Sequence, residues 1–310
     1  MSGVDCGLEV KPGMIDTPTL FIFLLNSLLY ASSLFLVAAG LQLVFGVLTV
    51  INLAVGSFYA LGAYFGIEIT RSSLGLGLPT YLGVFMLIAA AGLALVIGPP
   101  IEVALLRPMY KREAEFQLLL TYGIVLIFED LIKMFWGLYP RSISEVYVTY
   151  GGLSFGGITF PIYNLIVIIV TFIIAGIIGF MLKFTKTGII TRATSHDKEM
   201  SSALGANVKR VYLIAFTIGT ALGILSGALM VPIQTAVPGL SIEVIVIAFA
   251  IVVIGGLGSI KGALIGSLIV GFIRSAGIAL FPEVELAIIY LAVIAVLLIK
   301  PSGLFGKVGG

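Results

Sequence analysis

Residues 17–67 read TPTLFIFLLNSLLYASSLFLVAAGLQLVFGVLTVINLAVGSFYALGAYFGI and contain no charged side chain. A helix needs about 20 consecutive apolar residues to cross the hydrocarbon of a bilayer, so this stretch holds two spans. They are placed at Thr19–Gln42 and Leu48–Ile67. A third span is expected at Tyr81–Leu106, kinked or ended by Pro99-Pro100. A fourth follows at Phe116–Leu138, a fifth at Tyr163–Leu182 and a sixth at Val211–Val231. From Ile242 to Lys300 there is room for three more, broken by Gly255-Gly256-Leu257-Gly258-Ser259 and by Phe281-Pro282-Glu283. The expected fold is all-α: one polytopic transmembrane bundle over residues 1–310, with about nine spans (roughly eight to ten) and some helices broken at glycine-rich points.

Composition agrees. Hydrophobic residues make up 60% of the chain and charged ones 10%, at a mean hydropathy of +1.20. Soluble domains carry about 45–50% apolar and about 25% charged residues, so lipid is the solvent that fits. The net charge of +2 comes without a run of like charges, which leaves no footprint for nucleic acid. Cys6 is the only cysteine and His196 the only histidine, which excludes a disulfide framework and argues against a metal site. Residues 1–16 carry Asp5, Glu9 and Asp16 against Lys11 alone. A signal peptide opens on basic residues, so the first span is expected to stay in the protein.

Lysine and arginine set the orientation. Lys183, Lys186, Arg192, Lys198, Lys209 and Arg210 crowd one connection; Arg107, Lys111 and Arg112 another; Lys300 and Lys307 the C-terminal end. An odd number of spans with the N-terminus outside puts all three groups in the cytoplasm. The opposite connections hold Arg71 and Arg141. Of these, Arg141–Ile162 alternates in part and is expected to form a short hairpin or lid. The cytoplasmic loop 183–210 is expected to hold a helix over Arg192–Gly205, with Thr194 or Ser195 as its cap, Asp197 and Glu199 in its first turn and Gly205 at its end.

Four features could carry chemistry. The helix Arg192–Gly205 is either an ordinary surface loop or a docking helix, where Ala203 and Gly205 would let a soluble partner approach closely. Glycines at a spacing of four (Gly219, Gly223, Gly227; Gly258, Gly262, Gly266) let helix backbones pack in lipid, while the adjacent Gly255 and Gly256 interrupt a helix. Asn52, Gly56 and Ser57 put polar groups into an apolar run, for interhelical bonding or for a pathway. Glu129, Asp130, Lys133 and Arg274 lie inside spans, where a structural ion pair or proton coupling would account for them. Gly306-Lys307 lacks the rest of a phosphate-binding loop, and Gly256-Leu257-Gly258 lacks the third glycine of a dinucleotide fingerprint. No nucleophile–base pair stands out, so no catalytic residue is expected.

Four segments in order resemble one family. Phe45–Tyr64 (FGVLTVINLAVGSFYALGAY), Glu102 with Arg107-Pro108, Arg192–Gly227 (RATSHDKEMSSALGANVKRVYLIAFTIGTALGILSG) and Ala248–Gly271, with GGLGSIKGALIG at its centre, are similar to branched-chain amino-acid ABC permeases of the H type. The resemblance implies that Arg192, Asp197, Glu199, Ala203 and Gly205 belong to a coupling helix that docks into an ATPase. It implies that Asn52, Gly56, Ser57, Gly255, Gly256 and Gly258 lie on or near a central pathway. It also implies a second permease subunit (M-type or another copy), two cytoplasmic ATPases that hold the ATP, and an extracytoplasmic substrate-binding protein. No cofactor is expected in this chain. The chain departs from the family at Val55-Gly56-Ser57, where His-Gly-Glu is usual, at Glu129-Asp130, where amides are common, and at Lys261, where proline is common. The first departure bears on the substrate, since related permeases carry urea, short amides or other amino acids. An ion-coupled transporter or channel without ATPases is the other reading, motivated by the charges inside spans.

Overall fold

The computed structural model describes residues 17–155, 158–280, 284–300 and 302–306. The acidic N-terminal segment, Cys6, the Phe281-Pro282-Glu283 break and Lys307 lie outside the described residues. The chain is an all-α membrane bundle with one small hairpin. Helix α1 (Thr17–Leu48) is followed by α2 (Val55–Gly75). The expected second span began at Leu48, but residues 49–54 form a break. Thr49 sits at φ 58°, and the Asn52 Oδ1 accepts the Ala54 N–H at 3.1 Å, a local turn that competes with helix.

The third apolar segment, Thr80–Met109, is helical throughout but uneven. It contains α3 (Gly83–Ala89), α4 (Leu93–Ile101), short 3-10 turns and a π turn at Glu102–Leu106. Pro99 and Pro100 fall inside α4 rather than ending it. A proline lacks the N–H of the helical ladder, and the wider turn just after the pair takes up the mismatch. Then come α5 (Ala114–Trp136), α6 (Ser144–Thr149) and the antiparallel pair β1 (Gly152–Phe155) and β2 (Ile158–Pro161), in the register Leu153↔Phe160 and Ser154↔Thr159. The hairpin expected in Arg141–Ile162 is therefore present. Arg141 anchors it, pairing backbone to backbone with Ala236 and bonding Glu68 at 3.0 Å.

The second half runs through α7 (Ile162–Phe184), α8 (Lys186–His196), α9 (Lys198–Ala203), α10 (Val208–Met230), α11 (Leu240–Gly255), α12 (Ile260–Leu280) and α13 (Glu285–Ile299). Among the described residues, five helical segments are long and apolar enough to cross a membrane: Leu20–Leu48, Thr80–Met109, α7, α10 and α12. Leu240–Gly255 and Ala287–Ile299 are apolar but shorter. Helix α10 is the most enclosed of the five and packs on α1 and α2. A Cβ on Gly40 would lie 2.7 Å from the Gly219 carbonyl oxygen, and one on Gly227 would overlap the Tyr59 carbonyl. Without a hydrophobic drive between helices in lipid, such backbone contact supplies the dispersion that joins them. The Gly219–Gly227 spacing is thus explained by packing.

Candidate coupling and translocation sites

Loop 183–210 folds as two helices, not one. Asp197, at φ −149°, separates α8 from α9. Its Oδ1 accepts the Met200 N–H at 2.9 Å, so Asp197 is the cap that was expected at Thr194 or Ser195. Those two sit inside α8: Thr194 is buried, and the Ser195 hydroxyl donates to the Gly46 carbonyl of α1. Gly205 ends α9 as expected, at φ 87°, its N–H bonded to the Ser202 carbonyl at 3.0 Å. Arg192 donates to the Lys183 carbonyl at 3.4 Å, and Glu199 is exposed. Ala203 and Gly205 are exposed, flanked by Met200 at 58% and Leu204 at 81% exposure. This is an unpartnered apolar tip on a short, capped helix.

Gly255, Gly256 and Gly258 lie at the break between α11 and α12, which Gln42 of α1 spans with one amide. Its Nε2 donates to the Gly256 carbonyl at 2.8 Å, and its Oε1 accepts the Gly258 N–H at 2.5 Å. Gly256 and Gly258 have φ of 94° and 78°, a conformation that glycine adopts without strain. The C-terminal segment closes the other side. The N–H groups of Leu304 and Phe305 donate to the Ile254 and Gly255 carbonyls at 2.8 and 2.9 Å, satisfying acceptors that the end of α11 leaves open. Gly258, Gly46 and Ser195 line two cavities here, of about 600 and 850 Å³. Sequence reasoning missed Gln42, although an amide inside a charge-free span is the same signal that singled out Asn52.

Asn52, Gly56 and Ser57 stand apart from the glycine break. All three are buried, Asn52 in the break before α2 and Gly56 and Ser57 in its first turn. A Cβ on Gly56 would overlap the Ser241 carbonyl, so α2 and α11 meet near their N-termini, at the opposite end of α11 from Gly255. Along α11, Ser241 lies about 21 Å from Gly255, which sets Gly56 well apart from the glycine break. The expected pathway residues therefore form two clusters.

The charges inside spans resolve into local pairs. Buried Glu129 accepts the Gly239 N–H at 2.5 Å and the Ser241 hydroxyl at 2.7 Å, with the Lys133 ammonium 4.0 Å away. Its main role is to anchor the N-terminus of α11, where a carboxylate is favoured. Lys133 also reaches the exposed Asp130 at 3.4 Å. Arg274 pairs with Glu243 at 3.5 Å. Glu102, fully buried, accepts from Arg107 at 2.7 Å and from the Tyr110 hydroxyl at 2.8 Å. Burial, and then the carboxylate beside it, push the Tyr110 phenol well above its ordinary range. Tyr110 and Tyr212 wall a cavity of about 360 Å³ with Thr194–Glu199, so this cluster abuts the α8–α9 junction.

Residues 23–297 match the family described as branched-chain amino acid transport system, permease component. The chain is 27% identical over 293 residues to the high-affinity branched-chain amino acid transport system permease protein LivH of Escherichia coli, covering 91% of this chain and 94% of that one. It is 26% identical over 295 residues to the permease protein BraD of Pseudomonas aeruginosa, whose name describes the same kind of system, covering 92% and 95%.

Proposed function

The chain belongs to the family of branched-chain amino acid transport permease components, and on that premise we propose that it is the membrane-spanning subunit of an ATP-binding cassette importer. It carries branched-chain amino acids or a related small polar solute into the cell. The residues form a single permease domain of about nine spans in the inner membrane, N-terminus outside and C-terminus in the cytoplasm. It pairs with a second permease subunit, an M-type chain or another copy. Two cytoplasmic ATPases supply the energy, and a binding protein delivers solute outside. The chain hydrolyses no ATP itself.

The observation that carries this reading is the linkage from α9 to the glycine break. The exposed tip Met200–Gly205 is the docking element for an ATPase. Ser195, one residue before the end of α8, is bonded to Gly46, and a Cβ on Gly258 would lie 3.8 Å from the Gly46 Cα. Movement imposed on α8 and α9 by an ATPase is therefore felt at the end of α11. Arg192, Asp197 and Glu199 orient the tip, and Ala203 and Gly205 let the partner close on it. Gly255, Gly256 and Gly258 shape the inner mouth of the pathway, while Asn52, Gly56 and Ser57 set its wall deeper in the bundle. The ion-coupled reading loses its motivation, because Glu129, Asp130 and Lys133 pair among themselves on α5 while Arg274 pairs with Glu243.

The test is co-expression with the neighbouring ATPase, permease and binding-protein genes, with Ala203→Trp and Gly205→Val as variants. Solute-stimulated ATPase activity and uptake are expected to fall together while the membrane subunits still assemble. Unchanged activity in both variants rules out the docking role.

A further inference from the structure

The cavity of about 850 Å³ lies where α1, α7, α8 and α12 converge. It is lined by three cations: Lys183 near the end of α7, Arg192 of α8 and Lys261 in the first turn of α12. Its lining holds no carboxylate. All three cations are exposed, and none forms an ion pair among the described residues. Two of them have a local explanation. The Lys183 ammonium lies 5.1 Å from the Phe184 ring centre, and Arg192 donates to the Lys183 carbonyl at 3.4 Å. Cations are also favoured at the C-terminal end of a helix, where open carbonyls gather. Lys261 has the opposite setting. The first turn of α12 is the positive end of a 21-residue helix, so Lys261 is repelled by the dipole as well as by its neighbours. An anion held between α7 and α12 relieves both.

The rest of the wall is apolar. Gly176, Gly179 and Phe180 of α7 face the same space, and Gly176 lies about 10 Å along the helix from Lys183. All three are exposed. A Cβ on either glycine meets nothing within 4 Å, so no other part of the described chain uses the room they leave. Glycine weakens a helix interior, and here no close packing compensates. Both α7 and α12 are long and apolar enough to cross a membrane. The cations therefore sit at helix ends, at the level of lipid headgroups, and the glycine wall runs from there toward the hydrocarbon.

We infer that this groove binds a phospholipid with an anionic headgroup. The phosphate sits among Lys183, Arg192 and Lys261, where the guanidinium fork suits its oxygens. One acyl chain lies along Gly176, Gly179 and Phe180. The volume falls within the about 300–1,000 Å³ of small-ligand sites, which takes a headgroup and the first part of a chain. A zwitterionic solute is a poor fit, since its ammonium meets cations alone. A soluble anion leaves the apolar wall wet. Basic pockets between helix ends are suited to anionic headgroups for these reasons. Ser195 and Gly258 also line the groove, and both approach Gly46, so the lipid braces the joint between α8 and the glycine break. The binding itself rests only on the chain being a membrane protein, not on the importer reading.

The experiment uses the complete complex with its second permease and ATPases, stripped of lipid in detergent. Phosphatidylglycerol with a diazirine in its acyl chain is titrated in, and the photolabelled peptides of this chain are mapped. Label is expected on residues 176–184. Unlabelled phosphatidylcholine is expected to compete at least about tenfold more weakly than phosphatidylglycerol. Lys183→Gln combined with Lys261→Gln is expected to raise the half-labelling concentration about thirtyfold, about fivefold for each cation. Lys209→Gln with Arg210→Gln removes the same charge from the start of α10 and is expected to change it little. Gly179→Phe keeps every cation but fills the groove, so the label is expected to disappear while the protein melts with the wild type. Equal competition by the two lipids on the wild type overturns the proposal and needs no variant. Unchanged labelling in folded variants overturns it, and so does an equal loss in both charge variants, which marks diffuse attraction. Competition by glycerol phosphate as strong as by the lipid marks a soluble-anion site and overturns the lipid as occupant. No label on α7 in the complex means that another subunit covers the groove, which overturns it as well.

Discussion

The Gly258 N–H donates to the Oε1 of Gln42 at 2.5 Å, across 216 residues of sequence. With the bond from Nε2 to Gly256, one amide satisfies both sides of a broken helix. The break is thereby tied to α1, and α1 to Ser195 of α8.

Gln42→Leu is expected to lower stability by about 1–3 kcal/mol, because it keeps the bulk and leaves the buried Gly256 carbonyl without its partner, while the Gly258 N–H is exposed. Thermal unfolding in detergent, followed by the fluorescence of Trp136, reads it. A variant that melts with the wild type would show that water replaces the amide there.

Glu129 and Ser241 should be energetically coupled. Glu129→Gln and Ser241→Ala each remove part of one anchor of α11, and a double-mutant cycle is expected to give about 1–2 kcal/mol of coupling. Asp130→Asn, at an exposed position, serves as the control and should shift the unfolding midpoint little. Additive effects of Glu129→Gln and Ser241→Ala would mean that the carboxylate holds α11 through Gly239 alone.

The glycines should divide into two groups. Gly227→Val forces a side chain into the backbone of α2, and no folded protein is expected. A Cβ on Gly176 of α7 meets nothing within 4 Å, so Gly176→Ala should be tolerated. Monodispersity after extraction from the membrane separates the two outcomes. Equal tolerance would contradict the close crossing of α2 and α10.

Asp197→Ala removes the cap of α9 at a cost of about 1 kcal/mol in that helix. Its effect should fall on coupling, with solute-stimulated ATPase activity reduced and the melting of the bundle unaffected. Asp197→Asn, which keeps the capping oxygen, should restore most of the stimulation. If the asparagine variant is as impaired as the alanine one, the charge rather than the cap is what matters.

Much of the architecture could be read along the chain because membrane burial is a local demand. Each apolar run must satisfy its own backbone, so helices at residues 17–48, 162–184 and 208–230 follow from composition alone. The hairpin within Arg141–Ile162 and the end of α9 at Gly205 follow from local turn chemistry. The errors fell where polar side chains chose between local and distant partners. Asn52 turned inward on its own backbone and shifted the start of α2 to Val55. Asp197 outcompeted Thr194 and Ser195 as a cap because its carboxylate reaches the Met200 N–H, while the Ser195 hydroxyl was drawn to α1.

By itself, then, the sequence determined the solvent, the helical character of the chain and the glycine break after α11, since each depends on residues within a few turns of one another. Four in-register segments also carried the resemblance to the permease family. Only the tertiary structure decided what the interruptions do. Gln42 meets Gly258, Glu129 meets Ser241 and Arg274 meets Glu243 through packing between distant segments, and helical periodicity carries no record of which face meets which. The residues expected on one pathway therefore stand in two clusters, and the pair at Arg274 emerged with a partner that its own segment could not name.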